Sequence, residues 1–328
     1  MPQTAYHAVM NFLRVSDLTS SELDRLLDLA AAMKAEPNGW RRALQGETLA
    51  LRFDKPSTRT RTSFAVAAWR LGMLPLELRS EELQLERGET LEDTARVLSG
   101  YVSAIVVRTY SQRTVEALAA AAHVTVVNAL TDEHHPCQAL ADLLTLRERF
   151  DGLAGLKVAY VGDGNNVAHS LLEAGALAGV EVVVAAPEGY RPHPDVVDRA
   201  QRIGGVVEVV DDPVAAVEGA HAVYTDTWVS MGDGADRQLR LSDLAPYRLD
   251  EELLAHARPE AIVLHCLPAH RGEEITAGVL DGPRSVVWQQ AANRLPTEQA
   301  LLYLLLGGFD RKWIAGKTSR PGVAVAVD

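Results

Sequence analysis

Apolar positions along the chain fall into two kinds of stretch. Leu23, Leu26, Leu27 and Ala30 recur at helical spacing behind Thr19-Ser20-Ser21-Glu22, which has the form of a capping box. A helix is therefore expected over about 20–34. Thr48 to Phe53 reads as a strand, and Phe64 to Leu71 as a helical stretch stopped by Gly72. Continuous apolar runs at 104–107 and 124–127 flank an alanine-rich helix around 113–122. Such runs fit strands covered on both faces, as in a parallel sheet. A helix from Cys137 to about Phe150 places Leu140, Leu143, Leu144 and Arg147 at turn spacing. Asp151-Gly152-Leu153-Ala154-Gly155 then marks a boundary. Beyond it, strands are expected at 156–161, 181–186, 206–210, 222–225, 261–265 and 285–288, with helices between most of them. A last helix, rich in leucine and alanine, covers about 295–306, and the tail from Gly316 to Asp328 has no periodicity.

Alternation of strand and helix in both halves predicts an α/β protein built from two doubly wound parallel-sheet domains. The expected limits are 1–150 and 151–290, with 291–328 forming a C-terminal helix that packs back on the first domain and a loose tail. The length of 328 residues agrees with two domains at roughly 150 residues each. With 47% apolar and 23% charged residues, the chain has the balance of a globular protein. A net charge of −12 argues against nucleic acid as a partner, because phosphate backbones need a basic face. No apolar run approaches the roughly 20 residues of a membrane span. The N-terminus shows no basic segment followed by an apolar stretch, so no signal peptide is expected. Cys137 and Cys266 are too few for a disulfide framework and fit a reducing compartment.

Ligands of open parallel sheets sit beyond the carboxyl ends of the strands, and each polar cluster here follows a predicted strand. The segment from Phe53 to Thr62 leaves a strand and opens a helix, with Pro56 and Ser57 suited to the helix start. Helix N–H groups, the hydroxyls of Ser57, Thr58 and Thr60, and the guanidinium of Arg59 together suit a phosphate. The glycines of a nucleotide triphosphate loop are missing. Arg108 ends an apolar strand. Asp132-Glu133-His134-His135-Pro136-Cys137-Gln138 follows the next one, without the spacing of a zinc site. His135 and Gln138 read as groups aimed at a carbonyl. Val161-Gly162-Asp163-Gly164-Asn165-Asn166 opens like a dinucleotide fingerprint, but Val167 replaces its third glycine. Asn165 and Asn166 suit polar groups of a small substrate instead. Asp226, with Ser230 close behind it, suits a cationic amine, and Cys266 is a thiol at a strand end.

STRTRTSF at 57–64, HPCQ at 135–138, GDGNN at 162–166, DTWVSMG at 226–232 and HCLP at 265–268 resemble the signature segments of ornithine carbamoyltransferases, in order and spacing, from about residue 8 to about 310. The resemblance implies carbamoyl transfer from carbamoyl phosphate to the δ-amine of L-ornithine, with no metal and no organic cofactor. It further implies cytoplasmic homotrimers, or assemblies of trimers, working in arginine biosynthesis or in catabolism. By the same resemblance, 1–150 is the carbamoyl-phosphate-binding domain and 151–290 the ornithine-binding domain. Ser57, Thr58, Arg59 and Thr60 would hold the phosphate. Arg108, His135, Gln138 and Arg294 would orient the carbamoyl group, with Pro136 and Cys137 beside them and Gln84 approaching from its own or a neighbouring subunit. Asn166, Asp226, Ser230 and Met231 would bind ornithine, with Cys266 and Leu267 between the two substrates. Arg108, His135, Asp226 and Cys266 form the implied catalytic set. Two departures stand out: QAAN at 290–293 replaces the usual acidic EAEN, and Glu86 stands where glycine is frequent. Three rival readings are a carbamoyltransferase for another amine, a nicotinamide-dependent oxidoreductase, and a non-catalytic anion binder of the same fold.

Overall fold

The computed structural model describes residues 9–79, 88–229 and 236–307. Helix α1 (Ser20–Ala35) starts as the capping box predicts: Thr19 is the N-cap and Glu22 bonds back to it. The first sheet has the order β2-β1-β3-β4, all parallel, from β1 (Thr48–Phe53), β2 (Leu74–Arg79), β3 (Ala104–Arg108) and β4 (Thr125–Leu130). Its helices are α2 (Thr58–Leu71), α3 (Leu91–Ser99), α4 (Gln112–Ala121) and α5 (Pro136–Phe150). The second sheet, also parallel, has the order β7-β6-β5-β8-β9. Its strands are β5 (Lys157–Val161), β6 (Glu181–Ala185), β7 (Val207–Val210), β8 (Ala222–Thr225) and β9 (Ile262–His265). Around it lie α6 (Asn166–Ala178), α7 (Pro194–Ile203), α8 (Pro213–Val217), α9 (Arg237–Leu244), α10 (Glu251–Ala255) and α11 (Ala277–Leu280).

Chain order reverses between β1 and β3 in the first sheet and between β5 and β8 in the second. Loops leaving the strands diverge at those two points and open a crevice at each carboxyl edge. A shared core of leucines holds the two crevices in relation. Leu140, Leu143 and Leu144 of α5 join Leu171 and Leu172 of α6 and Leu301, Leu302 and Leu304 of the last helix, all buried. Each such side chain contributes about 1.5–3 kcal/mol by leaving water. The last helix, α12 (Val287–Gly307), packs on α1, α2 and α5, so it does return to the first sheet.

The expected strand at 285–288 is not formed. Ser285 makes one isolated bridge to Val263, and the chain is helical from Val287. Helix α12 therefore starts eight residues before the expected 295 and carries Pro296 inside it. Proline deprives the carbonyl of Ala292 of its helical donor. Ala292 is exposed, so water can take that place. The expected elements include neither strand β2 nor helix α3.

Candidate active site

The loop after β1 and the start of α2 bring the first anion-binding groups together. Ser57 is the N-cap, its Oγ accepting from the Thr60 N–H at 3.3 Å. Arg59 is exposed at the helix start. Lys55 lies 4.0 Å over the Tyr110 ring and pairs with Asp132, tying together the loops after β1, β3 and β4. Arg108 sits at the last position of β3. Burial, with repulsion from Arg294 and Arg59, lowers its guanidinium to about 10, so it stays charged at neutral pH. The same three arginines, after burial itself, hold His135 well below the usual histidine range. His135 is a neutral imidazole beside three cations. Arg59, Arg108 and Arg294, far apart in the chain, thus share one locus.

Arg294 reaches that locus from α12. Nη1 donates to Gln138 Oε1 at 2.9 Å, Nη2 to Thr60 Oγ1 at 3.1 Å, and Nε and Nη2 to Glu298 Oε1 at 3.0 and 2.7 Å. Glu298 is fully buried, and burial pushes its carboxyl up to about 7 against the pull of Arg294. Pro136 begins α5 at N1. The Cys137 side chain belongs to the core, its thiol donating to the Asn128 carbonyl at 3.5 Å. Its sulfur is therefore not presented to a ligand.

The second sheet supplies the facing groups. Gly162 takes φ +118°, and a Cβ there would meet Trp228 Nε1 at 2.8 Å; only glycine fits. Asn165 Oδ1 caps α6 by accepting from the Val167 and Ala168 N–H groups, at 2.9 and 3.4 Å. That cap occupies N–H groups a dinucleotide pyrophosphate would use, which counts against the nicotinamide reading. Asn165 Nδ2 donates to Asp226 Oδ2 at 2.8 Å, and Asn166 Nδ2 crosses to the Thr131 carbonyl at 2.6 Å. The Cys266 thiol donates to Asp226 Oδ1 at 2.8 Å. Burial, then the Asp226 charge, pushes that thiol well above its ordinary range, so it is protonated. Leu267 takes φ +60°, strained for a branched side chain, and its N–H donates to His265 Nδ1 at 2.9 Å.

Ligand atoms of Asp226, His265 and Cys266 lie within 4.8 Å of one another. Both His265 nitrogens are committed, Nδ1 to Leu267 and Nε2 to Glu274, and the thiol proton is committed to Asp226. Nothing in that set is prepared for a cation. Gln84, Glu86, Ser230 and Met231 lie outside the described residues. Of the remaining expected residues, the structure gathers Ser57 to Thr60, Arg108, His135, Gln138 and Arg294 at the carboxyl edge of the first sheet, and Asn166, Asp226 and Cys266 at that of the second, near enough for Cys266 to act on Arg108. Sequence reasoning missed the groups that hold them: Lys55, Asp142, Gln290 and Glu298. Two carried a readable signal, since Asp142 and Glu298 each stand four residues after a site residue on one helix.

Comparison with known proteins bears on the chain as a whole. Residues 10–148 match the model of the aspartate/ornithine carbamoyltransferase carbamoyl-P binding domain, and 154–305 match that of the Asp/Orn binding domain. The chain belongs to the aspartate/ornithine carbamoyltransferase family. Ornithine carbamoyltransferase of Parafrankia sp. (strain EAN1pec) is 56% identical over 303 residues, covering 90% of this chain and 96% of that relative. The solved ornithine carbamoyltransferase of Pyrococcus furiosus superposes with a TM-score of 0.88 at 49% identity, covering 92% of this chain and 98% of that one. The Thermus thermophilus structure of the same name gives 0.83 at 47% identity, covering 92% and 100%.

Proposed function

We infer that the chain is an ornithine carbamoyltransferase, moving the carbamoyl group of carbamoyl phosphate to the δ-amine of L-ornithine and releasing L-citrulline and phosphate. The observation that carries this reading is the opposition of two sets of side chains. Arg59, Arg108, Arg294 and a neutral His135 share one crevice edge, and an Asp226–Cys266 pair stands on the other. The arginines and the start of α2 suit the dianionic phosphate. Arg108 and His135 suit the oxygen that becomes negative when the amine nitrogen attacks the carbonyl carbon. The C–O bond to phosphate then breaks, and phosphate leaves with the electron pair toward the arginines.

A lysine-like amine has a reference pKa of about 10.4, so holding it neutral at pH 7 costs about 4.6 kcal/mol. Its proton must therefore go to the protein or the leaving group. Cys266 already carries a proton and gives it to Asp226 in a hydrogen bond, so the thiol can relay but not accept unaided. The vacant acceptor capacity lies on the carboxylate. Burial of both substrates between the two sheets supplies orientation, which lowers the entropic barrier.

Cytoplasmic location, a place in arginine biosynthesis and assembly as a homotrimer go with this reading. Support for self-association comes from the outer edge of β2, which no strand among the described residues pairs and where Leu74 and Leu76 are exposed. Among the described residues no helix is long and apolar enough to cross a membrane. A colorimetric citrulline assay with carbamoyl phosphate and a panel of amines tests the activity. Product with L-ornithine alone supports it; product only with putrescine or an N-acylated ornithine replaces it with the neighbouring reading. Sedimentation of the purified protein tests the trimer.

A further inference from the structure

Asp142 lies on α5, one turn beyond Gln138, and is fully buried. Its Oδ1 accepts from two amides at once, Gln138 Nε2 at 2.8 Å and Gln290 Nε2 at 2.7 Å. Oδ1 accepts from both amides whether or not Oδ2 carries a proton, so this one oxygen fixes which way both amides face. With its nitrogen on Asp142, Gln138 must turn Oε1 outward, and there it receives Arg294 Nη1 at 2.9 Å. Gln290, fully buried too, must likewise turn its Oε1 away, and there it receives the backbone N–H of His265 at 2.9 Å. His265 immediately precedes Cys266, whose thiol bonds Asp226. An unbroken series of hydrogen bonds and covalent links thus runs from Arg294 through Gln138, Asp142, Gln290 and His265 to Cys266 and Asp226.

Side chains in such a buried chain have few alternative rotamers, because any rotation leaves a buried polar group unpaired. A displacement of Gln138 at one end is therefore felt at the backbone of His265. We propose that Asp142 is a positioning residue that couples the carbamoyl-phosphate half of the site to the ornithine half, with Gln290 as the link between them. The inference rests on the carbamoyltransferase reading above. It assigns to two residues outside both substrate sets the control of how strongly one substrate favours the other.

The test uses the full-length protein and L-norvaline, an amino acid shaped like ornithine without the reactive amine. Calorimetry gives its dissociation constant with and without saturating carbamoyl phosphate, and the ratio measures coupling. In the parent the ratio exceeds about fivefold. Gln290→Leu, which removes both bonds of Gln290 and leaves Gln138 on Asp142, brings the ratio toward unity while carbamoyl phosphate binding on its own is nearly unchanged. Asp142→Ala abolishes the ratio and weakens carbamoyl phosphate itself by about tenfold, the cost of a lost hydrogen bond to a charged group. Asp142→Asn, which keeps an acceptor oxygen, recovers most of the ratio lost in Asp142→Ala. A parent ratio near unity in protein that makes citrulline overturns the proposal, as does a ratio that survives Gln290→Leu. Should Asp142→Ala not fold, Gln290→Leu and Asp142→Asn still decide. Absence of citrulline in the parent is a different failure, that of the underlying activity, and is read in a separate assay.

Discussion

Replacing Asp142 by Asn tests the electrostatics of the buried core through stability alone. Burial pushes the Asp142 carboxyl from an ordinary 3.8 up to about 7, although amide donors from Gln290 and Gln138 and the nearby Tyr224 hydroxyl favour its charged form. Between those two values the folded chain holds a proton that the unfolded chain has released. Stability therefore falls as pH rises through this window and levels off above about pH 7. Three decades of proton affinity at about 1.4 kcal/mol each amount to about 4 kcal/mol in total. The amide that Asp142→Asn introduces carries no such penalty. Its oxygen still serves both glutamines, and its nitrogen replaces Oδ2 and can donate to the nearby Tyr224 hydroxyl oxygen, which has no other partner among the described residues. The advantage of Asn over Asp should grow by about 3 kcal/mol between pH 5 and pH 8. At about 2 °C per kcal/mol for a chain of this size, that is a widening of about 6 °C. Paired thermal scans of the two proteins at both pH values measure it, and Glu298, present in each, cancels. A difference that is equal at the two pH values, or larger at pH 5, refutes the picture of a carboxyl held toward its neutral form.

Arg108→Ala should lower turnover by about 10²–10³-fold, the usual loss for one group facing a developing oxyanion, with the unfolding temperature nearly unchanged; full activity would remove Arg108 from the catalytic set. His135→Asn should slow the reaction without moving the acid limb of the pH–rate profile, because burial and three arginines already keep that imidazole neutral well below its ordinary range. A shifted limb would show that His135 titrates there. Alkylation of Cys266 by iodoacetamide should be slow at pH 8 and still accelerating at about pH 10, since burial and Asp226 hold the proton on sulfur. A plateau near the free-thiol value of about 8.5 would mean the Asp226 bond does not persist in solution.

Sheet strands covered on both faces were legible because burial leaves them no reason to alternate: Ala104 to Val107 is buried throughout. Strand β2 escaped because it lies at the sheet edge, with Leu74, Leu76, Glu77 and Arg79 exposed and Pro75 in its run, a residue an outer strand tolerates. Helix α3 carries Leu91, Ala95 and Leu98 at helical spacing and packs them on the core, but nine residues are too short a run for that period to stand out. Val286 and Val287 had the β-branched look of a strand, yet the pairing with β9 lasts one residue before the chain turns into α12.

Site residues showed in the sequence for a related reason. Apart from Arg294, which lies inside α12, they stand at or shortly after the ends of buried strands, at positions where the fold has little packing use for them. The groups that hold those residues are different, because helix α5 read alone gives Asp142 the look of a solvated position. Only the crossing of α12 over α5 brings Gln290 onto Asp142, and Arg294 onto Gln138. The one local trace is a repeated spacing: Gln138 and Asp142 on α5, Arg294 and Glu298 on α12, each a site residue followed by an acid one turn later. An acid at that spacing on an otherwise apolar helix face lies beneath the functional side chain, where its own burial depends on the bond it makes. It follows that the two carboxylates belong to the carbamoyl side of the cleft as much as the residues they hold, although neither faces the crevice.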